Sequence, residues 1–287
     1  MPELAYLNGK ILPIHETYVP VEDRGYQFGD AVYEFIASYH GKLFCLEQHL
    51  DRLKNSMERM SFPKIERAFI EHAINDLFTK ADIARAGIYI QISRGVAPRD
   101  HAWDKGLKTQ LLMTIKKIKE YPLELREKGI EIITLEDERW SNCDIKTIQI
   151  LPNAMAKQKA RDNGAFDAIF VSKDGIVREG TSSNFFMVRN GKIITHPLTK
   201  NILPGITRKV TLDIAGSMGI KIQEKFISKA ELFSADEAFL TGTISEILGI
   251  IAIDKYSIGT GRPGEITKKL YTAFKKNWTN KKINNGE

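Results

Sequence analysis

The sequence predicts a two-domain fold of the α+β class, with mixed α/β character. Its 287 residues exceed the roughly 250 at which a single hydrophobic core stops growing. Strand-like and helical segments follow one another without the regular alternation of a doubly wound fold, and turn signals indicate several hairpins. We expect a first domain at residues 1–118, a linker at 119–129 and a second domain at 130–287.

The first domain begins with the dipeptide Asn8-Gly9 between two strand-like runs, which is the strongest short-range hairpin signal. Residues 31–46 predict two longer strands that turn at His40-Gly41. Apolar residues at helical spacing, in one case after a leading proline, predict two helices. The remaining predicted elements are helices at 46–60 and 63–78 and strands at 86–95 and 109–118.

The linker, 119–129, is predicted because this segment is polar, contains a proline and lacks apolar periodicity. In the second domain, Asn163-Gly164 predicts a helix end, and Asp174-Gly175 and Asn190-Gly191 predict hairpin turns. The other predicted elements are strands at 129–137, 145–151, 236–243 and 247–253 and helices at 153–165, 205–219 and 264–278.

Composition restricts the class of protein. Hydrophobic residues make up 43% and charged residues 27% of the chain, which is ordinary for a globular enzyme. There is neither a run of roughly 20 apolar residues nor a signal-peptide pattern at the N-terminus. Two cysteines, Cys45 and Cys143, are too few for a disulfide framework or a cysteine-built zinc site. We therefore expect a cytoplasmic protein that does not associate with membranes.

The net charge of +6 lies partly in a polar C-terminal tail, 275–287, which we expect to be frayed. No zinc-finger spacing or RNA-binding motif accompanies this charge, so we expect no nucleic-acid partner. The six histidines show no metal-ligand spacing, so we expect no metal site.

Lys146 stands among Ile145, Ile148 and Ile150 in a predicted strand. A lysine in apolar surroundings loses its preference for the charged form and becomes nucleophilic. Such lysines form Schiff bases with carbonyl compounds, among them pyridoxal phosphate. The alternative is a lysine at the end of a strand whose ammonium group reaches water, and this residue alone does not decide between the two.

Glu179 ends a predicted hairpin strand and precedes the polar loop 180–184. Beside pyridoxal phosphate, a carboxylate there could hold the proton on the ring nitrogen; otherwise it is a surface glutamate before a turn. Ile206 and Thr207 open a helix, whose free N–H groups form a potential anion site. A second hydroxyl-rich loop, 241–245, could share one phosphate with it, although an ordinary capped helix explains the first pattern equally well.

These residues lie in a set of motifs whose order along the chain matches one enzyme family. From about residue 5 to 275, the chain resembles the fold-type IV (class IV) pyridoxal-phosphate-dependent aminotransferases, and within them it is most similar to the D-amino acid aminotransferases. The motifs are EDRGYQFGDAVYE, HLDRL, SRGVAPRDH, RWSNCDIKTIQIL, AKQKA, VREGTSSN, PGITR and TGTISE.

The resemblance implies a small N-terminal α/β domain, a larger C-terminal domain that carries the lysine, and the cofactor pyridoxal 5'-phosphate at their interface. It implies that Lys146 forms the Schiff base and shuttles the substrate proton, and that Glu179 pairs with the ring nitrogen. Tyr33 would lie beside the lysine and the substrate carboxylate. The other implied cofactor-binding residues are Arg52, Ser182, Ser183, Ile206, Thr207 and Thr243.

The loop containing Arg99 and His101 discriminates within the family. Residues two apart on an extended loop point the same way, so the pair could bind one carboxylate by charge and hydrogen bond. In the similar enzymes such a pair reaches over from the neighbouring subunit, which implies a homodimer whose active sites are completed across the interface. The implied reaction is ping-pong transamination of D-alanine or D-glutamate with 2-oxoglutarate or pyruvate.

The alternatives within the same fold are transamination of branched-chain L-amino acids or of (R)-amines, and the lyase step that makes aminobenzoate. The chain also departs from the usual family pattern. Gly242 and Ile244 replace hydroxyl residues near the phosphate, and Thr147 and Gln149 replace the usual Ser and Asn after the lysine. We expect fewer side-chain contacts to the phosphate at the first two positions.

Overall fold

The computed structural model describes residues 3–279, which divide into two compact units. The first unit runs to Lys119 and also includes Ile145–Gln149; the second comprises Glu120–Asp144 and the described residues from Ile150 onward. The chain thus passes between units at the start of the predicted linker. Residues 280–287 of the predicted C-terminal tail lie outside the described residues, as do residues 1 and 2.

The first unit is built on a six-stranded antiparallel sheet in the order β2-β1-β6-β5-β3-β4. Its strands are β1 (Leu4–Leu7), β2 (Lys10–Pro13), β3 (Ala31–Tyr39), β4 (Lys42–Leu43), β5 (Ala86–Ser93) and β6 (Gln110–Lys117), and its helices are α1 (Arg24–Phe28), α2 (Leu46–Arg59) and α3 (Arg67–Ala81). A 3-10 turn, Ile14–Glu16, follows β2.

Local sequence accounts for most of these elements, although helix α1 was not predicted and two predicted elements have other bounds. The predicted hairpin forms because Asn8 and Gly9 both take positive φ, 48° and 95°, as a two-residue hairpin turn requires. The strand predicted after His40-Gly41 is only the two residues of β4, because Cys45 takes the left-handed conformation and helix α2 follows it. Helix α3 begins at Arg67 and not directly after the leading proline at position 63.

The core of the first unit lies between the sheet and helices α2 and α3. Each helix buries an apolar stripe, as its periodicity predicts. The stripe residues include Leu50, Leu53 and Met57 of α2 and Ile74 and Leu77 of α3, all less than one-tenth exposed.

The second unit contains a ten-stranded sheet whose path is β12-β11-β10-β14-β15-β7-β8-β9-β13, with β16 on β15. Its strands are β7 (Ile130–Glu136), β8 (Asp167–Val171), β9 (Ile176–Gly180), β10 (Asn184–Arg189), β11 (Lys192–Thr195), β12 (Ile222–Glu224), β13 (Ile227–Ser228), β14 (Glu237–Gly242), β15 (Glu246–Ile253) and β16 (Tyr256–Ser257). Its helices are α4 (Leu123–Lys128), α5 (Leu151–Asp162), α6 (Ile206–Ser217) and α7 (Glu265–Thr279), with a 3-10 helix at Lys229–Ser234.

An additional pairing closes part of this sheet into a ring. β9 pairs with β10 through Glu179 and Asn184, so that β10, β14, β15, β7, β8 and β9 each have a neighbour on both sides. Closure removes exposed edges from these six strands, and it places the end of β9 directly beside the start of β10. The mixture of helices and sheets in both units confirms the predicted α+β class.

The segment predicted as a linker contains helix α4 and packs within the second unit. Arg126 of this helix donates to the carbonyls of Ser245 and Ile247 and pairs with the buried carboxylate of Glu246 at 2.8 Å. Gly129, with φ of 80°, ends the helix. The segment lacks apolar periodicity because a buried arginine, and not an apolar stripe, attaches the helix.

None of the helices within residues 3–279 combines the length and apolar character needed to cross a bilayer. Over the same residues, no group of three or more His, Cys, Asp and Glu side chains is arranged to hold a metal ion.

Candidate active site

Lys146 lies on a bent loop segment beside β3 in the first unit, and not in a strand of the second domain as the sequence predicted. The segment Ile145–Gln149 pairs with β3 through one isolated bridge, between Val32 and Thr147. The backbone N–H of Lys146 donates to the Ser56 hydroxyl of α2 at 3.1 Å. These bonds explain why the segment belongs to the first unit.

The apolar run around Lys146 is therefore not a buried strand. Ile145 is buried, but Ile150 is 44% exposed, and Lys146 itself is half-buried. The N–H of Thr147 donates to the carbonyl of Ile145 at 2.9 Å. This local hydrogen bond bends the segment, so it does not continue as a β-ladder with β3. Apolar composition alone suggested the strand.

Tyr33 lies where the sequence predicted, beside the lysine. The Lys146 Nζ is 4.0 Å from the centroid of the Tyr33 ring, within the range of a cation–π interaction, and the Tyr33 N–H donates to the Lys146 carbonyl at 2.9 Å. The Tyr33 ring also packs 5.6 Å from that of Tyr89, whose hydroxyl donates to Gln91. Burial raises the pKa of Tyr89, so it stays neutral. The ammonium group and the tyrosine ring are thus held together.

Arg52, predicted to bind phosphate, forms a bidentate ion pair with Glu34. Its Nε and Nη2 lie 2.7 and 2.9 Å from the two carboxylate oxygens, and His49 Nδ1 lies 2.7 Å from the second oxygen. Glu34 and His49 are fully buried. The two bonds to Glu34 fix the position of the Arg52 guanidinium group.

Glu34 and His49 were not predicted from the sequence. A signal existed, because Glu34 directly follows Tyr33 and because His49 and Arg52 are three apart on one helix, hence on the same face. Burial opposes ionisation of Glu34, but the charge of Arg52 and the bonds from both partners outweigh it and lower the pKa of Glu34 well below its usual range. Burial and the charges of Arg52 and Lys146 lower the pKa of His49, against the opposing effect of Glu34.

Replacing Glu34 with alanine should destabilise the apoprotein by about 3–5 kcal/mol, the usual cost of breaking a buried ion pair. Because the pKa of Glu34 is lowered, its contribution is present at neutral pH and is lost as the pH falls below the usual range of a glutamate. Urea unfolding at pH 7 and pH 3 measures both effects. Glu58→Ala is the matched control, since it removes an exposed acid on the helix that carries Arg52, paired loosely with Lys54. Equal stability of the two variants would contradict the assignment.

Arg99 and His101 are exposed and share one aromatic neighbour. The Arg99 guanidinium lies 4.6 Å from the centroid of the Phe28 ring, and the His101 ring packs edge-on 5.6 Å from it. Arg99 also donates a long bond, 3.4 Å, to the carbonyl of Gln27. The structure thus brings together the two side chains that the sequence predicted to act on one carboxylate.

Glu179, in the second unit, is buried at the end of β9 and accepts three hydrogen bonds. One oxygen accepts from Arg139 at 2.6 Å; the other accepts from the Asn184 side chain at 3.1 Å and the Leu203 N–H at 3.0 Å. Burial raises the pKa of Glu179, and the charge of Arg139 opposes that rise. All three donors favour the carboxylate, which has about four lone-pair sites and so retains one for a further N–H.

Arg139 was not among the predicted site residues, although it lies in the motif that contains the lysine. It is nearly buried and is held by both oxygens of Asp137, which also accepts from Arg178. Burial disfavours the charged form, but Glu179 and Asp137 outweigh it and raise the pKa of Arg139. An alternating row of acids and arginines therefore fixes the position and the charge of Glu179.

Three hydroxyl groups of the second unit are buried without a hydrogen-bond partner among residues 3–279: Ser183 Oγ, Thr207 Oγ1 and Thr241 Oγ1. Buried hydroxyls without partners are costly, so their presence on the loop after β9, in the first turn of α6 and near the end of β14 indicates a site for an acceptor-rich group. Thr207 belongs to the first turn of α6, whose free N–H groups favour an anion. The chemistry of these donors fits a phosphate.

The backbone around these hydroxyls is closely packed. A Cβ on Gly205 would lie 2.0 Å from Asn184 Oδ1, so only glycine lets α6 begin there. A Cβ on Gly242 would lie 2.8 Å from Ser245 Oγ and 3.4 Å from the Ser182 carbonyl, so the loop 241–245 lies beside the loop 180–184.

The residues of this region that were predicted to contact the cofactor differ in how far they are buried. Ile206 opens helix α6 and is buried, whereas Ser182 is exposed and Thr243 is half-buried on the turn after β14. Thr241, which the sequence placed in the loop but not among the cofactor contacts, carries the unpartnered hydroxyl. Its position is set by pairing with Asn184 across β14 and β10.

Comparison with known proteins is consistent with this arrangement. The family model described as amino-transferase class IV matches residues 31–253. A D-alanine aminotransferase from Bacillus licheniformis is 40% identical over 268 residues, covering 93% of this chain and 94% of that protein. One from Staphylococcus epidermidis is 37% identical over 274 residues, covering 94% and 96%.

Solved structures resemble the chain along nearly its whole length. The branched-chain amino acid aminotransferase from Escherichia coli superposes with a TM-score of 0.91 at 26% identity, covering 99% of this chain and 98% of that one. The T.th. branched-chain amino acid aminotransferase with pyridoxamine 5'-phosphate gives a TM-score of 0.89 at 25% identity, covering 96% and 94%.

Proposed function

The chain belongs to the class IV aminotransferases, and from this premise we propose that it transfers the amino group of D-amino acids, such as D-alanine and D-glutamate, to 2-oxo acids. Its cofactor is pyridoxal 5'-phosphate. The observation that carries the choice of substrate is the placement of Arg99 and His101 against one ring, Phe28, where both can bind one carboxylate. The curated relatives that are D-alanine aminotransferases support it.

The residues present fit the cofactor. The unpartnered hydroxyls and the start of α6 suit its phosphate, and Glu179 retains an acceptor site for its ring N–H. When bound, pyridoxal 5'-phosphate supplies an aldehyde that condenses with amines and a protonated ring that withdraws electrons from the substrate α-carbon. The residues that would hold it are Lys146, Arg52, Glu179, Ser182, Ser183, Ile206, Thr207 and Thr243. To these we add Thr241 as a proposal, because its hydroxyl is buried without a hydrogen-bond partner among residues 3–279.

Lys146 supplies the amine that takes the proton from the substrate α-carbon. The same amine would then deliver the proton on the other side of the substrate nitrogen. Tyr33 limits the movement of this amine, because the Nζ rests on its ring. Glu179 keeps a proton at the ring nitrogen, since a carboxylate beside it favours the charged form. Arg139 keeps Glu179 in place through a bond of 2.6 Å.

Arg99, His101 and Tyr33 hold the α-carboxylate of the substrate. Because the substrate amino group would be held by the cofactor, fixing the carboxylate as well decides whether the α-hydrogen or the side chain faces Lys146, so the same residues select one enantiomer. A 2-oxo acid carries the same carboxylate and enters the same site in the second half-reaction. Ping-pong kinetics follow from the covalent scheme, because the enzyme retains the amino group between the two half-reactions.

The test is the visible absorption of the holoenzyme, mixed separately with D-alanine, L-alanine and L-leucine. Loss of the band at the cofactor's wavelength with D-alanine alone is the expected result. Loss with L-leucine alone would instead make the protein a branched-chain aminotransferase, the activity named for the similar solved structures. Reaction with an (R)-amine but with no amino acid would assign it to the amine transaminases.

Replacing Arg99 with alanine should raise the KM for D-alanine by about 10–100-fold. This factor corresponds to the free energy of one hydrogen bond to a charged group. The absorption of the bound cofactor should not change, because Arg99 lies on an exposed loop. Steady-state kinetics measure the first quantity and a spectrum the second. Lys105→Ala, an exposed cation on the same stretch, is the control. An unchanged KM would show that the pair does not bind the carboxylate.

We also propose that the enzyme works in the cytoplasm as a homodimer in which Arg99 and His101 serve the neighbouring active site. Mixing Arg99→Ala subunits with Lys146→Ala subunits tests this arrangement. Hybrid dimers should regain activity, because one of their two sites then has both an intact loop and an intact lysine. Recovery would be absent if the loop served its own subunit.

A further inference from the structure

We propose that Arg24 is a positioning residue for substrate recognition: it fixes the backbone of the loop that carries Arg99 and His101. The inference rests on the proposed function, in which those two side chains bind the substrate carboxylate. Arg24 itself is 3% exposed and acts through the loop.

Three consecutive backbone carbonyls converge on the Arg24 guanidinium. Nη1 donates to the carbonyls of Asp100 at 2.6 Å and Ala102 at 3.1 Å, and Nη2 donates to that of His101 at 3.1 Å. These are the residues directly after Arg99 and around His101. This exposed loop lacks the regular backbone hydrogen bonds of a helix or strand. The Arg24 side chain instead holds its backbone through these three carbonyls.

Arg24 is itself held rigidly. Its Nε donates to Asp30 at 2.9 Å, and Asp30 is also paired with Arg94 at 2.8 Å. The Arg24 guanidinium lies 4.8 Å from the centroid of the Phe28 ring, the same ring that contacts Arg99 and His101. An anchor that is buried and paired transmits little motion to the loop.

The base of the loop is attached to the same region. The N–H of Arg24 donates to the carbonyl of Gly95 at 2.9 Å, and the N–H of Ala97 donates to the carbonyl of Glu22 at 3.2 Å. Beyond these backbone bonds, the exposed side chains of Arg99 and His101 contact the Phe28 ring from a backbone that the Arg24 guanidinium group holds. The loop is thus built to present these two side chains at a fixed spacing.

Arg24 could act through its positive charge or through the shape of its guanidinium group, and the two possibilities predict different effects of substitution. Arg24 and Arg94 share one carboxylate, so the cluster has an excess positive charge that could attract an anion without positioning anything. Arg24→Lys separates the two effects. Lysine keeps the charge but lacks the planar fork that bonds several carbonyls at once.

The experiment measures KM and kcat of holoenzyme Arg24→Lys with D-alanine, and its half-reaction rate with (R)-1-phenylethylamine, an amine without a carboxylate. We expect the KM for D-alanine to rise about tenfold with kcat changed by less than about threefold. The amine rate and the cofactor spectrum should stay within about twofold of the wild-type values. Arg85→Lys is the control, because Arg85 also donates to a backbone carbonyl of the first unit, that of Ser38.

A double-variant cycle makes the mechanism testable. In a background that lacks both carboxylate-binding side chains, Arg99→Ala combined with His101→Ala, Arg24→Lys should raise the KM for D-alanine no further, since the side chains to be positioned are gone. Equal effects in both backgrounds, or equal losses with D-alanine and the amine, would make Arg24 a purely structural residue. Hydrogen exchange of amides 99–103 should be faster in Arg24→Lys, and unchanged exchange would overturn the proposal.

A second variant covers the case in which Arg24→Lys does not fold. Ala102→Gly, at an exposed loop position, frees the same backbone and should raise the KM for D-alanine about threefold; an unchanged KM would overturn the proposal. Wild-type enzyme that does not react with D-alanine would overturn the proposed function, and with it a role for Arg24 in carboxylate binding. Reaction of the wild type without any effect of Arg24→Lys would overturn the inference alone.

Discussion

Replacing Lys146 with alanine should lower the rate of the half-reaction with D-alanine by at least about 10³-fold. The loss combines two functions of one amine: covalent attachment of the cofactor, and transfer of the α-proton, for which a positioned base contributes typically 10²–10⁴-fold. Neither Tyr33 nor Ser56, its contacts in the first unit, can replace a basic amine. The measurement is the decay of cofactor absorption after mixing with D-alanine in a stopped-flow instrument.

Two observations would separate loss of chemistry from loss of structure. Borohydride reduction followed by peptide mass spectrometry should place the cofactor on Lys146 in the wild type and on no lysine in the variant. Methylamine added to Lys146→Ala should restore part of the rate. Lys159→Ala, at an exposed position of α5, should react like the wild type. A variant at position 146 that retained full activity would remove the lysine from the mechanism.

Replacing Glu179 with glutamine should lower the same rate by about 10²-fold or more, comparable with loss of one preorganised electrostatic group. An amide is neutral and holds the proton at the ring nitrogen less well than a carboxylate does. Its NH2 group would also face a donor, because Arg139, Asn184 and the Leu203 N–H all donate to Glu179.

The unfavourable contact between the amide NH2 group and these donors would also lower the stability of the protein. A loss of activity alone therefore does not show that the charge at position 179 is needed. Glu179→Asp retains the charge on a shorter side chain and should be intermediate in rate. Cofactor affinity, from titration of apoprotein followed by absorbance, should fall less in Glu179→Asp than in Glu179→Gln. If the two variants had equal rates, the charge at position 179 would not matter, and the carboxylate would serve only to bind Arg139.

Much of the site could be predicted because its parts are local in sequence. Hairpin dipeptides, helical stripes and the start of α6 depend on neighbouring residues, and the structure has them where the sequence placed them. Arg99 and His101 are two apart and share one neighbour for the same reason. The ordered motifs then supplied roles that no single residue could.

The sequence by itself determined the α+β class, the family, and the residue types of the site, since these depend on periodicity, turn chemistry and ordered motifs. Only the tertiary structure decided which charges are neutralised, because ion pairs join residues distant in sequence: Arg139 lies 40 positions from Glu179, and Arg24 about 77 from the loop it anchors. It also decided that Lys146 lies on a bent loop segment of the first unit. Apolar composition does not distinguish a paired strand from a segment that touches its neighbour at a single bridge.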